Sequence, residues 1–135
     1  MNKNGPIVII EDDIDDQDIL NAIFKELNYK NKLIFFGDSM KALEYLTDTD
    51  TEPFLVLSDI NMPGMSGLEL LEHIKQKHRK PPPIVMMITA YGDIDLAVRS
   101  LKDGASDFVI KPWHNEKLIQ TIKDALDKKN NKGLK

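Results

Sequence analysis

Five short apolar runs recur along the chain, and a longer segment with helical periodicity follows each of them. The third run, from Phe54 to Leu57, is apolar at every position, which is typical of a strand buried on both faces of a parallel sheet between helices. The first run is rich in β-branched residues, which favour strands. The runs lie at Ile7–Ile10, Leu33–Phe36, Phe54–Leu57, Ile84–Ile88 and Phe108–Ile110.

Between the runs, apolar residues recur at the three- and four-residue spacing of amphipathic helices. Ser39 is a candidate N-cap of the second helix, and Gly104 is expected to end the fourth. The prolines at 81–83 end the connection before the fourth strand, because proline cannot continue a helix. The residues expected to face the sheet are Ile19, Leu20, Ile23, Phe24, Leu27, Ala42, Leu43, Leu46, Leu68, Leu71, either Ile74 or Lys75, Ile94, Ala97, Val98, Leu101, Leu118, Ile119, Ile122, Ala125 and Leu126.

This strict alternation of strand and helix predicts right-handed crossovers and a parallel sheet. We therefore predict a doubly wound α/β fold with five strands and helices on both faces. A length of 135 residues fits a single domain. Its core is expected at about residues 6–127, and residues 128–135 form a basic tail that fits a solvated helix end.

Composition narrows the classes of function. Hydrophobic residues make up 41% and charged residues 30% of the chain, as in a water-soluble globular protein. A net charge of -4 argues against a nucleic-acid surface, because such surfaces neutralise phosphates with Lys and Arg. No apolar run approaches the ~20 residues of a membrane span, and the first residues lack a signal-peptide pattern. These features predict a cytoplasmic protein without a membrane partner.

Side chains suited to phosphoryl chemistry follow the predicted strands. Because ligands of open α/β sheets bind outside the carboxyl ends of the strands, these side chains are expected to share one site. Three carboxylates placed together repel one another, so either their pKa values rise or a cation lies among them. Hard carboxylate oxygens favour Mg²⁺. The residues are Glu11 and Asp12 after the first strand, Asp59 after the third, Thr89 after the fourth and Lys111 after the fifth.

Asp59 is the predicted centre of this site. With Mg²⁺, the Lys111 ammonium and the Thr89 hydroxyl around it, a phosphoryl group would be neutralised while the Asp59 carboxylate attacks in line. The product would be an aspartyl phosphate. Taken singly, Asp59 is equally well explained as a turn or cap residue, Lys111 as a surface lysine and Thr89 as a strand-end residue. Only the placement of all three at one edge of the sheet points specifically to phosphoryl transfer.

At these positions the sequence resembles the receiver domain of two-component response regulators, from Ile7 to about Leu126. The resemblance implies a flavodoxin-like fold with strand order 2-1-3-4-5. It implies a phosphoacceptor signalling domain that catalyses only its own phosphorylation and dephosphorylation. The donor would be a phosphohistidine on a histidine kinase or phosphotransfer protein. The segments that carry the resemblance are Ile9–Asp13, Ser58–Gly67, Ile88–Ala90 and Gly104–Pro112.

The resemblance also implies the metal ligands. Asp59 would accept the phosphoryl group, and Mg²⁺ would be bound by Asp12, Asp59 and the backbone carbonyl of Asn61. Glu11 would hold a metal-bound water. The remaining acids of the loop are expected to lie past the strand end on the helix, away from the metal: Asp15, Asp16 and Asp18.

For the switch, the resemblance implies that Thr89 and Lys111 contact the phosphoryl group and that the Lys111–Pro112 peptide bond is cis. Phe108 occupies the position of the switch aromatic residue. Phosphorylation would draw Thr89 inward and bury Phe108, altering homodimerisation or effector binding. The surface expected to change comprises the helix 93–102, the strand 107–110 and the helix 115–128.

Other interpretations of the same residues fit less well. A calcium-binding loop starting at Asp13 fails, because Asp18 stands where glycine is needed and Phe24 where glutamate is needed. A phosphatase of the haloacid-dehalogenase type requires an acid where Asn61 stands. The alternative that remains is a receiver-fold interaction module that works without phosphorylation. The three histidines are expected to be surface residues: His73, His78 and His114.

Overall fold

The computed structural model describes residues 5–47, 52–62, 65–76, 83–90, 93–111 and 113–132, with side chains up to residue 127. Five strands and five helices alternate along these residues, as the apolar pattern predicts. The strands are β1 (Ile7–Ile10), β2 (Leu33–Phe36), β3 (Leu55–Asp59), β4 (Ile84–Ala90) and β5 (Asp107–Lys111). The helices are α1 (Ile14–Glu26), α2 (Ser39–Thr47), α3 (Gly67–Gln76), α4 (Ile94–Lys102) and α5 (Asn115–Lys132).

The strands form one sheet in the order β2-β1-β3-β4-β5, and every neighbouring pair is parallel. This confirms the predicted doubly wound fold and its strand order. The register aligns Ile10 with Ser58, and Asp59 with Ile88. Because all strands run the same way, their carboxyl ends meet along one edge of the sheet.

A core layer lies on each face of the sheet. Alternate residues of one strand enter different layers, as Ile7 and Ile9 enter one and Val8 and Ile10 the other. The central strands β1 and β3 are therefore buried at every position. Helices α1 and α5 supply the first layer, whereas α2 and α3 supply the second.

The prediction for helix α4 is wrong in part. Ala97 is buried as expected, but Ile94, Val98 and Leu101 are 39%, 43% and 38% exposed. The buried stripe instead pairs Ala97 with Ser100 three residues later. These two side chains are small, so only a narrow stripe of α4 contacts the sheet and the larger apolar residues lie beside it. The helix ends at Lys102, as predicted, with Asp103 as its C-cap and Gly104 directly after it.

Two turn residues explain where helices begin and end. Gly104 has φ 112°, a left-handed conformation that glycine adopts without strain, which confirms it as the stop. Ser39, however, is the first residue of α2 rather than its cap. Its hydroxyl donates to the Met65 carbonyl at 2.7 Å, and Asp38 caps the helix by accepting from Met40 N–H at 2.7 Å.

Several predictions concern residues that the structure does not describe. Prolines 81 and 82, Pro112, His78 and the last three residues of the tail lie outside the described residues, and so does the conformation of the Lys111–Pro112 bond. Residues 128–132 continue helix α5. Within the described ranges, no helix is long and apolar enough to cross a membrane.

Candidate functional site

Three carboxylates converge at the carboxyl edge of the sheet. Glu11 follows β1, and its backbone N–H donates to Phe36 O of the neighbouring β2 at 2.9 Å, which continues the ladder by one residue. Asp59 is the last residue of β3. Because β1 and β3 are neighbours in register, the two side chains meet. One oxygen each from Glu11, Asp12 and Asp59 lies within 4.8 Å of the others.

The three carboxylates differ in their surroundings. Glu11 is fully buried and Asp59 is buried, whereas Asp12 is exposed. Glu11 Oε2 accepts from Asp13 N–H at 3.2 Å, while Oε1 pairs with the Lys111 ammonium. Burial raises the pKa of Glu11 to about 7, with a further rise from the Asp59 charge. Hydrogen bonds from Lys111 and Asp13 counteract only part of the rise.

Lys111 joins these acids from the end of β5. Its Nζ lies 2.5 Å from Glu11 Oε1 and 3.2 Å from Asp59 Oδ2. A third carboxylate, Asp16 Oδ2, is 2.9 Å away. Burial by itself lowers the pKa of Lys111, but hydrogen bonds to Asp16 and Glu11 and the nearby Asp59 charge outweigh it and raise the pKa. The ammonium therefore stays charged at physiological pH.

Asp16 lies on α1 and outside the three converging carboxylates, in line with the expectation, but its contact with Lys111 was not expected. The expectation treated Asp15, Asp16 and Asp18 alike, because all three follow the strand on a helix. Asp16 lies four residues before the buried Leu20 and seven before the buried Ile23. It therefore occupies the inward stripe of α1, in its first turn. Helical phase was the signal in the sequence that distinguishes Asp16 from its exposed neighbours.

A second cluster lies beside Asp59 and links it to the start of α4. Asn61 N–H donates to Asp59 Oδ1 at 3.0 Å, and the Asn61 side-chain amide donates to Asp93 Oδ2 at 2.6 Å. The buried Thr89 hydroxyl donates to the Asp93 carbonyl at 3.2 Å. Asp93 is the N-cap of α4 but makes no side-chain cap bond. Its role was not predicted, because the link depends on how two loops meet.

The other predicted residues lie farther from Asp59. Phe108 is half-buried against the second core layer and pairs in register with Met87. His73 and His114 are exposed, as expected. The structure thus brings Glu11, Asp12, Asp59 and Lys111 together. Asn61 contacts Asp59 directly, and Thr89 is linked to Asn61 through Asp93.

The donor set fits a hard divalent cation. All three converging side chains are carboxylates, and the two buried ones, Glu11 and Asp59, both contact the Lys111 ammonium. Such oxygen ligands suit Mg²⁺, which typically uses one or two carboxylates with waters and phosphate oxygens. Burial is the main cause of the raised pKa of Glu11 and the Asp59 charge adds to it, so a cation at this site would favour the ionised carboxylate.

Comparison with known proteins gives a consistent result. A family model described as the response regulator receiver domain matches residues 7–123. The transcriptional regulatory protein FixJ of Bradyrhizobium diazoefficiens is 36% identical over 126 residues, which are 93% of this chain and 58% of FixJ. The DNA-binding transcriptional regulator NtrC of Escherichia coli is 40% identical over 91 residues, which are 67% of this chain and 19% of NtrC. The chain thus spans only part of these relatives.

Solved structures share the fold. The receiver domain of NtrX from Brucella abortus superposes with a TM-score of 0.76 at 32% identity, covering 90% of this chain and 98% of that one. Full-length FixJ from B. japonicum gives a TM-score of 0.77 at 32% identity, covering 91% of this chain and 58% of that one.

Proposed function

Because the chain belongs to the response regulator receiver family, as its match over residues 7–123 shows, we propose that Asp59 is its phosphoacceptor. The chain is a signalling domain of two-component systems rather than a conventional enzyme. On this proposal it catalyses only two reactions, the transfer of a phosphoryl group to its own aspartate and the later hydrolysis of the acyl phosphate.

The contacts of Asp59 carry this proposal. Its Oδ2 faces Lys111 Nζ at 3.2 Å, and its Oδ1 accepts from Asn61 N–H at 3.0 Å. These contacts orient the carboxylate at the end of a buried strand. An Asp59 oxygen would attack phosphorus and form the P–O bond while the bond to the donor breaks in line. Lys111, already beside Asp59, would then neutralise an oxygen of the incoming group.

Glu11, Asp12, Asp59 and the backbone carbonyl of Asn61 are the groups that would hold Mg²⁺. When bound, the ion supplies the positive charge that both the carboxylates and the phosphoryl oxygens need. Asp12 and Asp59 would ligate directly, and Glu11, which is fully buried, would act through a water. The convergence of their oxygens within 4.8 Å for Glu11, Asp12 and Asp59 supports this assignment.

The donor we propose is a phosphohistidine on a histidine kinase or a phosphotransfer protein. A phosphohistidine contains a reactive N–P bond, so its phosphoryl group passes readily to a carboxylate oxygen. We also propose a cytoplasmic location, where such kinases obtain their phosphoryl group from ATP. The relatives named above are described as transcriptional regulators.

Thr89 and Phe108 are proposed to relay phosphorylation to the surface. The Thr89 hydroxyl now donates to the Asp93 carbonyl, so turning it toward a phosphoryl oxygen breaks a bond that holds the start of α4. Phe108 is already half-buried. Burying the rest of its ring is therefore worth a part of the ~1.5 to 3 kcal/mol for a full Phe side chain. Even about 1.4 kcal/mol changes a two-state ratio tenfold.

The surface proposed to respond comprises the helix 93–102, the strand 107–110 and the helix 115–128. Its α4 part exposes three apolar side chains at 38–43%: Ile94, Val98 and Leu101. Contact with a second copy of the chain or with an effector protein would remove these apolar side chains from water, which is favourable. We propose that phosphorylation changes how tightly this face binds.

A chemical test separates this function from a module that works without phosphorylation. Protein incubated with acetyl phosphate and Mg²⁺ should gain one phosphoryl group by intact mass. The group should be lost in hydroxylamine, which cleaves acyl phosphates but not phosphoserine or phosphothreonine. Chelating the metal should prevent the gain. A protein that stays unmodified under all these conditions would instead be the phosphorylation-independent module.

Nuclear magnetic resonance tests the relay. Adding beryllium fluoride, which mimics a phosphoryl group, should shift resonances of Phe108 and of residues 93–102. Shifts confined to the loops around Asp59 would rule the relay out.

A further inference from the structure

The Lys111 ammonium contacts two carboxylates of the proposed metal site and one carboxylate outside it. Glu11 and Asp59 belong to the group whose oxygens converge within 4.8 Å, together with Asp12. Asp16 is not a member of that group, yet its Oδ2 lies 2.9 Å from Lys111 Nζ, nearer than Asp59 Oδ2 at 3.2 Å. Nothing in the proposed chemistry so far uses Asp16.

This sharing creates a competition. The oxygens that would hold or orient a cation are the ones that Lys111 occupies, at 2.5 Å for Glu11 and 3.2 Å for Asp59. Two positive groups repel when they share a buried carboxylate. A cation therefore enters only if Lys111 gives up part of these contacts. The ammonium is itself partly buried, so it needs another anion when it does so.

Asp16 supplies that anion from a fixed place. Its backbone N–H donates to Asp13 Oδ1 at 3.1 Å, which closes the first turn of α1. Farther along the helix, Leu20 and Ile23 are buried in the core. The turn that carries Asp16 is thus held against the sheet. A cavity of about 380 Å³ lined by Asp16, Ile19, Lys111 and Trp113 leaves room for the lysine side chain to move.

We propose that Asp16 is a positioning residue, which retains the Lys111 ammonium on the α1 side while Mg²⁺ occupies the Glu11, Asp12 and Asp59 oxygens. The inference rests on the proposed metal site. The Asp16 carboxylate keeps the Lys111 ammonium charged and near Asp59, where it can contact a phosphoryl oxygen. At the same time it keeps the ammonium out of the place that the metal would occupy. Without Asp16, the ammonium falls back onto Glu11 and Asp59 and competes more strongly with the cation.

Isothermal titration calorimetry with Mg²⁺ alone tests this on the full chain. Asp16→Asn keeps the shape of the side chain but removes its charge, and should weaken Mg²⁺ binding about three- to tenfold. Asp15→Asn is the matched control, since it removes the same charge from the same helical turn at an exposed position. It should change the dissociation constant less than about twofold. Asp16→Glu should restore most of the affinity.

A double-mutant cycle shows whether Asp16 acts through Lys111. In a Lys111→Met background the competitor is gone, so Mg²⁺ should bind more tightly. There Asp16→Asn should have no more effect than Asp15→Asn. In the otherwise unchanged chain, Asp16→Asn should raise the Mg²⁺ concentration for half-maximal phosphorylation by acetyl phosphate.

Three results would overturn the inference: equal affinities of Asp16→Asn and Asp15→Asn, an undiminished Asp16→Asn effect without Lys111, or a lower saturated rate with unchanged affinity. Thermal unfolding without metal checks that each variant is folded, and Asp16→Ser replaces Asp16→Asn if that variant is not. A wild-type protein that binds no Mg²⁺ would refute the proposed metal site along with this role. Normal wild-type binding with an inert Asp16 would refute the role of Asp16 alone.

Discussion

Glu11 should make the metal-free protein lose stability as the pH rises through neutrality. Its pKa in the folded protein is raised to about 7 from an ordinary 4.5, chiefly by burial. A carboxyl with a raised folded-state pKa binds its proton more tightly when folded, so the protonated form favours folding. This contribution is complete below pH 4.5 and is lost as the pH rises through about 7. The loss is on the order of 3 kcal/mol, since each tenfold difference in proton affinity between the folded and unfolded protein is worth about 1.4 kcal/mol.

Replacing Glu11 by Gln removes the titrating group and keeps an oxygen for Asp13 N–H. Urea unfolding with a metal chelator, followed by circular dichroism at pH 5 and pH 8, measures the free energy of unfolding. The wild type should lose about 2.5 kcal/mol more than Glu11→Gln between these two pH values, since the contribution is not quite complete at pH 5. Glu26→Gln, at an exposed position of α1, should behave like the wild type.

Mg²⁺ should reverse the effect. Saturating metal stabilises the ionised, folded form by mass action, so the wild type should become more stable at pH 8 while Glu11→Gln gains less. Parallel pH curves for the wild type and Glu11→Gln without metal would refute the reasoning, because Glu11 would then not be the group that titrates.

Two further substitutions test the frame around Asp59. Gly67→Ala should lower the free energy of unfolding by about 1–3 kcal/mol in urea titrations, because the new Cβ would lie 2.6 Å from the Asp59 carbonyl oxygen; Gly37→Ala, with no atom within 4 Å, should change little. Thr89→Ala should still gain a phosphoryl group, slowly, by intact mass, but beryllium fluoride should no longer shift the resonances of residues 93–102. A normal shift there would show that Thr89 is not the relay.

The apolar runs were enough to predict the sheet. A strand between two helical layers is largely apolar, so all of β1 and the first three residues of β3 appear in the sequence as unbroken apolar runs. The rule that ligands bind at the carboxyl ends of strands then placed Glu11, Asp12, Asp59 and Lys111 together. The contacts among them follow from backbone topology, which the sequence pattern encodes directly.

The errors arose where side-chain size and helix phase decide the outcome. Periodicity alone made Ile94, Val98 and Leu101 appear to be core residues, but the small Ala97 and Ser100 face the sheet instead. The link from Asn61 to Asp93 joins two loops, so no periodic pattern marks it.

The claim that Asp59 receives the phosphoryl group has one most direct test. Wild type, Asp59→Asn and Asp18→Asn are incubated with acetyl phosphate and Mg²⁺ and compared by intact mass. Asp18 is an exposed acid of α1 and serves as the control. The account predicts one added phosphoryl group on the wild type and on Asp18→Asn, and none on Asp59→Asn, because an amide is a poor nucleophile. The same mass gain on Asp59→Asn would contradict it.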